Sequence, residues 1–259
     1  MKAYIYQRVL KEYIILFFKM IISSKITFLW YLILPTALFF FSHYSWFLNK
    51  PESGEFYFQF SVFVAYIIFV LSLDASVSLI RLRETGAFKV FKFISGSKYI
   101  VIWAQVLTQI ITMIMACLIF SGFIGIIFIR DPIEFVMLIS VVLLVVLITA
   151  LPLSLFFLSL LLLPIKQESL ITILNIIILC FFLISANNFK LPDTIQIIML
   201  IFNPLEVIRQ FIFELSNLII QTSIPVHSLP LIICILIVYL LIGILSMPYI
   251  KVSSITQRT

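Results

Sequence analysis

Few residues in this chain could carry chemistry, and their types narrow what that chemistry could be. The two histidines, His43 and His227, stand far apart and alone. The three cysteines, Cys117, Cys180 and Cys234, each lie inside an apolar run, without metal-ligand spacing. An odd number in such surroundings reads as small apolar packing residues rather than disulfides or ligands. There is no H-E-x-x-H pair and no paired aspartates suited to a metal and a pyrophosphate. We therefore expect no catalytic residue and no metal site. Nor is there a G-x-x-x-x-G-K-[ST] loop to cradle phosphates, since Gly86-Ala87-Phe88-Lys89 does not fit. ATP chemistry, if any, must reside on another chain.

Four polar side chains interrupt long apolar runs: Asp74, Gln105, Gln109 and Asn175. An ionisable group inside a membrane span is a functional candidate, here as a polar lining for a pathway. The plainer reading is structural. Asp74 lies close enough to the end of its run to be solvated, or to pair with Arg81 about two turns on. The glutamines then tie helices together.

The elements that hold these residues follow from composition. Hydrophobic residues make up 63% of the 259, and charged residues only 11%. Soluble domains carry about 25% charged residues, so the bilayer is the solvent here. Six apolar runs, at 26–48, 56–80, 100–129, 135–163, 169–187 and 229–250, approach or exceed the about 20 residues that cross a membrane. Barrel strands would alternate in character and cross in about 10 residues. The first run is too long for a signal-peptide core, and no cleavage-site pattern follows it. The six runs show no internal repeat of the kind that many secondary transporters carry.

Charge gives direction. With both termini inside, 13 of the 17 cations fall inside, and Lys50, Arg130, Lys190 and Arg209 fall outside. Most acids fall outside. That is the positive-inside pattern, and it accounts for the net charge of +6 without a nucleic-acid partner.

Two segments are expected not to cross. Residues 1–25 place Arg8, Lys11, Glu12, Lys19 and Ser23 on one side of a helical wheel and apolar residues over much of the rest. This suits a helix lying at the cytoplasmic interface. Residues 188–228 are apolar but broken by Asn203-Pro204, because proline lacks an N–H and disfavours helix before it. Beyond the break, Glu206, Arg209, Gln210, Glu214, Asn217 and Gln221 share a stripe, with Ile208, Ile212, Leu215 and Ile219 opposite. We expect two short helices that enter the outer leaflet and return, or else one amphipathic helix on the outer ends of the bundle.

Between the second and third runs lies "LIRLRETGAFKVFKFISGSKY", with five cations and Glu84 as its one acid. A topology anchor would tolerate any order of charges. Here the order is Arg83-Glu84-x-Gly86-x-x-Lys89, interleaved with Phe88, Phe91 and Phe93, which look exposed. Arginine and aromatic residues dominate interface hot spots, so a short helix of this kind suits docking to a partner.

In these features the chain resembles the ABC-2 type ABC transporter permeases, the membrane subunits of ATP-driven exporters. The resemblance covers the whole chain: the amphipathic first helix, Pro35 midway along the first span, an R-E-x-G-x-x-K segment after the second span, six spans, and Asn-Pro before the last. It departs at Gly96-Ser97, where many relatives carry a proline, and it lacks the first-span R-x-x-x-L-G-x-x-W-like run of the polysaccharide branch.

The resemblance implies an all-α integral membrane fold. Residues 1–25 form the interfacial helix and 26–259 a six-helix transmembrane domain, with a coupling segment at 81–99 and an extracytoplasmic re-entrant segment at 188–228. It implies that Arg83, Glu84, Gly86, Phe88 and Lys89 engage a separate ATPase. The working unit would hold two ATPase copies and a second identical or related permease in a bacterial cytoplasmic membrane. ATP and Mg would be bound by the ATPase and no cofactor by this chain. The substrate would be a drug, peptide or lipid-like amphiphile. A membrane-embedded enzyme or protease would need His, Asp or Glu clustered at one depth. A non-transporting immunity or sensor protein would need no ATPase.

Overall fold

The computed structural model describes residues 2–23, 25–186, 193–222, 224 and 229–253. His227, Lys190, Arg258, Asn187 at the end of the fifth expected span, and parts of the 188–228 segment lie outside the described residues.

Among the described residues there are ten α-helices and no strand. Helix α1 spans Lys2–Ser23, and α2 spans Lys25–Ser42. Helix α3 spans Ser53–Glu84, α4 Ala87–Ser95, and α5 Lys98–Phe128. Helix α6, Pro132–Leu158, runs on into a 3-10 turn at Ser159–Leu162. Helix α7 is Gln167–Ala186, α8 Asp193–Phe202, α9 Pro204–Ile220, and α10 Leu229–Ser246.

Five helical stretches are long and apolar enough to cross a membrane: Ser53–Glu84, Lys98–Phe128, Pro132–Leu162, Gln167–Ala186 and Leu229–Tyr249. The chain is thus a multi-pass, all-α membrane protein. The first expected span, 26–48, ends earlier than expected, at Ser42 of α2. The apolar part of α2, Leu29–Ser42, ends at His43, and the chain then turns through Tyr44–Phe47. Aromatic packing sets this stop. Trp46 folds back into the core, its ring 4.2 Å from His43 and 5.8 Å from Phe39.

Helix α3 is the hub. It packs against α2, α4, α5, α6, α7 and α9, and its apolar residues lie on every face, as a buried helix requires. Helices α6 and α10 meet at backbone contact, because a Cβ on Gly243 would fall on the Leu155 backbone. Glycine is what permits that approach.

Helix α1 packs along α5, burying Tyr13 and Phe17 while Arg8, Lys11, Glu12 and Lys19 stay exposed. The polar stripe expected there faces outward. Among its apolar residues, Leu16 and Met20 are also exposed.

The chain breaks at Asn203. The residue ends α8 through its N–H to the Met199 carbonyl (2.8 Å) and caps α9, its Oδ1 accepting from the Leu205 N–H (3.1 Å). Pro204 occupies the first turn, where its missing N–H costs nothing. The α9 stripe does not separate inside from outside as its pattern suggests. Val207 to Phe213 are all buried, Arg209 and Gln210 included. The polar groups serve one another instead. Arg209 pairs with Glu206 at 3.1 Å and lies over the Phe58 ring at 4.4 Å. Gln210 donates to Glu206 at 2.9 Å.

Candidate functional site

Helix α4 is set off by two glycines. Gly86 has φ +76° and Gly96 φ +73°, both left-handed. A Cβ on Gly86 would meet nothing within 4 Å, so the backbone conformation, not crowding, calls for glycine there. Gly86 ends α3, its N–H reaching the Arg83 carbonyl at 3.3 Å, and its own carbonyl accepts from the Lys89 N–H at 3.1 Å. Gly96 turns the chain again, and Ser97 caps α5 by accepting from the Tyr99 N–H. The four residues Thr85, Gly86, Gly96 and Ser97 thus deliver a nine-residue helix between two long ones.

Its inner face is anchored. Phe88 is fully buried, which corrects the expectation that it is exposed. Phe91 is half-buried, with its ring 5.5 Å from Tyr13 and 5.8 Å from Phe17, while Tyr13 Oη donates to the Phe91 carbonyl at 3.1 Å. Its outer face is bare. Val90, Phe93 and Ile94 are 55%, 88% and 68% exposed, flanked by exposed Lys89 and Lys92. An open concavity of about 1020 Å³ adjoins this face, with Lys89, Lys92, Lys98 and Lys251 on its walls. Lys98 braces it, Nζ donating to the Pro248 and Ile250 carbonyls at 2.6 and 3.0 Å.

Two of the preceding residues reach back into the bundle. Arg83 is 2% exposed, and its Nη1 donates to the Leu161 carbonyl at 2.6 Å. Glu84 Oε1 accepts from the Gln167 N–H, the first residue of α7, at 2.8 Å. With the Gln167 amide turned oxygen-first, Arg81 donates to it at 3.1 and 3.2 Å. The end of α3 therefore grips the connection between α6 and α7. A carboxylate at a helix N-terminus also opposes the positive end of its dipole.

Deeper in the bundle the structure brings together Asp74 and Gln109. Gln109 Nε2 donates to Asp74 Oδ2 at 3.3 Å, and Tyr31 of α2 lies beside the same carboxyl group. Asp74 lies ten residues before Glu84, about 15 Å along the axis at 1.5 Å per residue. No ion pair within 4.0 Å reaches Asp74 among the described residues, so Arg81 acts on it only at longer range. Gln105 is buried one turn before Gln109, and Asn175 is exposed on α7, apart from this cluster. Among the described residues no three His, Cys, Asp or Glu side chains could hold a metal ion.

Sequence reasoning missed Tyr31, Gln167 and Gly96. Gly96 left a signal, being the second of two glycines around one cationic stretch in a chain with only six. Gln167 left none, because its contribution is a backbone N–H.

No protein-family model, curated protein or solved structure matches this chain.

Proposed function

We propose that this chain is the permease subunit of an ATP-driven bacterial exporter, and that α4 is the helix a separate ATPase grips. One observation carries the reading. Helix α4 is anchored by Phe88 and Phe91 on one face and presents Phe93, Ile94 and Val90 to solvent on the other. Exposed aromatic and aliphatic residues rimmed by lysines are what a partner would bury.

In this reading the roles divide. Lys89, Lys92 and Phe93 engage the ATPase. Gly86 sets the angle at which α4 leaves α3. Arg83, Glu84 and Phe88 carry its displacement to α6, α7 and the core. Both termini and α4 face the cytoplasm, where the cation count puts them. Helix α2 with its following turn makes the sixth crossing, and α8 and α9 enter from the outside and return. Two permease copies, or this chain and a related one, work with two ATPases that supply ATP and Mg. The cargo is an amphiphile that reaches the pathway from the cytoplasm or the inner leaflet.

The test is co-purification with the cell's ATPase subunits of Phe93→Asp and of an unaltered control. Normal insertion with loss of a P-loop ATPase from the variant is the expected result. Equal ATPase recovery overturns the docking role of α4.

A further inference from the structure

Between residues 60 and 80 of α3, only Tyr66, Val70, Asp74, Val77 and Ser78 keep partial exposure. The first four recur at helical spacing and form one stripe. Tyr66 meets Phe182 of α7 edge-on at 5.3 Å, and Asp74 meets Tyr31 of α2. The stripe is therefore the floor of a strip between α2 and α7, and Asp74 is its one ionisable group.

Asp74 is short of a cation. Its neighbours Gln109, which donates to it, and Tyr31 are both neutral, so neither supplies a positive charge. Gln109 is fully buried beside it, and its other amide atom, Oε1, has no hydrogen-bond partner. An unmet buried acceptor costs about 1–3 kcal/mol, and a lone acid at membrane depth costs about as much again or more. Here a charge and an unmet acceptor lie together on one side of the bundle. Both would be satisfied by one group that is positive and carries an N–H.

The wall narrows the class further. A bound metal ion of the calcium type takes about six or more oxygens, and this site supplies a carboxylate, one amide oxygen and a phenol. The Tyr31 ring of α2 stands beside the acid, while Tyr66 lies about two turns away along the same stripe. Aromatic faces beside a carboxylate attract organic cations. The flanking helices contribute Trp30, Ile33, Ile176 and Leu179, all exposed and apolar.

We propose that Asp74, Gln109 Oε1 and the ring of Tyr31 form a binding site for the protonated amine of an amphiphilic molecule, with its apolar body lying between α2 and α7. This rests on the transport reading, since it assigns the cargo class of that pathway.

The experiment measures binding of rhodamine 6G, an amphiphilic cation with N–H groups, to the purified full chain in nanodiscs by fluorescence polarisation. Asp74→Asn, which keeps the side-chain size, is expected to weaken binding tenfold or more, and Asp74→Glu by less than threefold. Tetraphenylphosphonium, a cation without N–H, is expected to bind more weakly and to lose little further in Gln109→Leu. Wild-type protein gives a second measurement that needs no variant. Labelling of Asp74 by dicyclohexylcarbodiimide, read by mass spectrometry, should slow when rhodamine 6G saturates the site. Equal affinity of Asp74→Asn and wild type, or labelling unchanged by saturating dye, overturns the proposal. No ATPase is present in this experiment. Loss of the amine site therefore leaves the Phe93 result standing, and a failed Phe93 test leaves amine binding to be read independently.

Discussion

Glu84 Oε1 accepts a hydrogen bond from the backbone N–H of Gln167 at 2.8 Å, across 83 residues of chain. It joins the residue before the α4 turn to the first residue of α7. Two residues of the α3 end, Arg83 and Glu84, thus hold the α6–α7 connection from both sides, through Leu161 and Gln167. A push on α4 has a short polar route into the bundle.

Glu84→Ala should remove this cap and lower stability by about 2 kcal/mol, the scale of a hydrogen bond to a charged group. Glu84→Gln retains an acceptor and should lose less than half as much. Thermal unfolding of the two variants in one detergent checks the order. A fall in transport in Glu84→Gln with abundance unchanged would locate the effect in coupling.

Gly86→Ala should cost about 1–2 kcal/mol, because φ +76° is a left-handed conformation that a Cβ disfavours. Gly86→Asn should cost less, since asparagine tolerates that region. Because nothing crowds the position, even a large residue should still insert, and expression level with unfolding temperature would show this.

How much of this was legible in the sequence depends on how local the cause was. The break at Asn203-Pro204 was, since capping and the missing proline N–H act within a few residues. The cationic character of α4 was legible too. Which way its neighbours point was not. Arg83 turns inward for a carbonyl 78 residues away, and no spacing rule reports that. Phe88 and Phe93 look alike in sequence, yet one is fully buried and the other 88% exposed, because α3 and α5 cover only one face of α4. The early end of α2 at Ser42 was hidden for a similar reason. Trp46 and Phe47 extend its apolar run in sequence, but they turn back onto aromatic neighbours instead of continuing the helix.

Gly243→Leu should separate α6 from α10 and lower stability by about 3 kcal/mol, at the upper end for overpacking, because the added side chain meets the Leu155 backbone. Gly122→Leu serves as the control, since nothing lies within 4 Å of a Cβ there. Its unfolding temperature should stay near that of the wild type.

Phe88→Ala and Phe93→Ala separate packing from docking. The buried residue should cost about 3–5 kcal/mol of stability. The exposed one should cost almost none, yet weaken ATPase binding by roughly 2 kcal/mol, about thirtyfold, if it is a hot spot. Unfolding temperature and co-purified ATPase, measured on both variants, should give opposite patterns.

The central claim is that the outer face of α4 meets a separate ATPase inside the cell. A photo-crosslinking amino acid placed at position 93, activated in living cells, tests it directly, with position 126 on the exposed face of α5 as the control. The account predicts that position 93 captures a protein carrying a P-loop ATPase sequence, identified by mass spectrometry, and that position 126 does not. Capture of lipid alone at position 93, or of an extracytoplasmic protein, would contradict it.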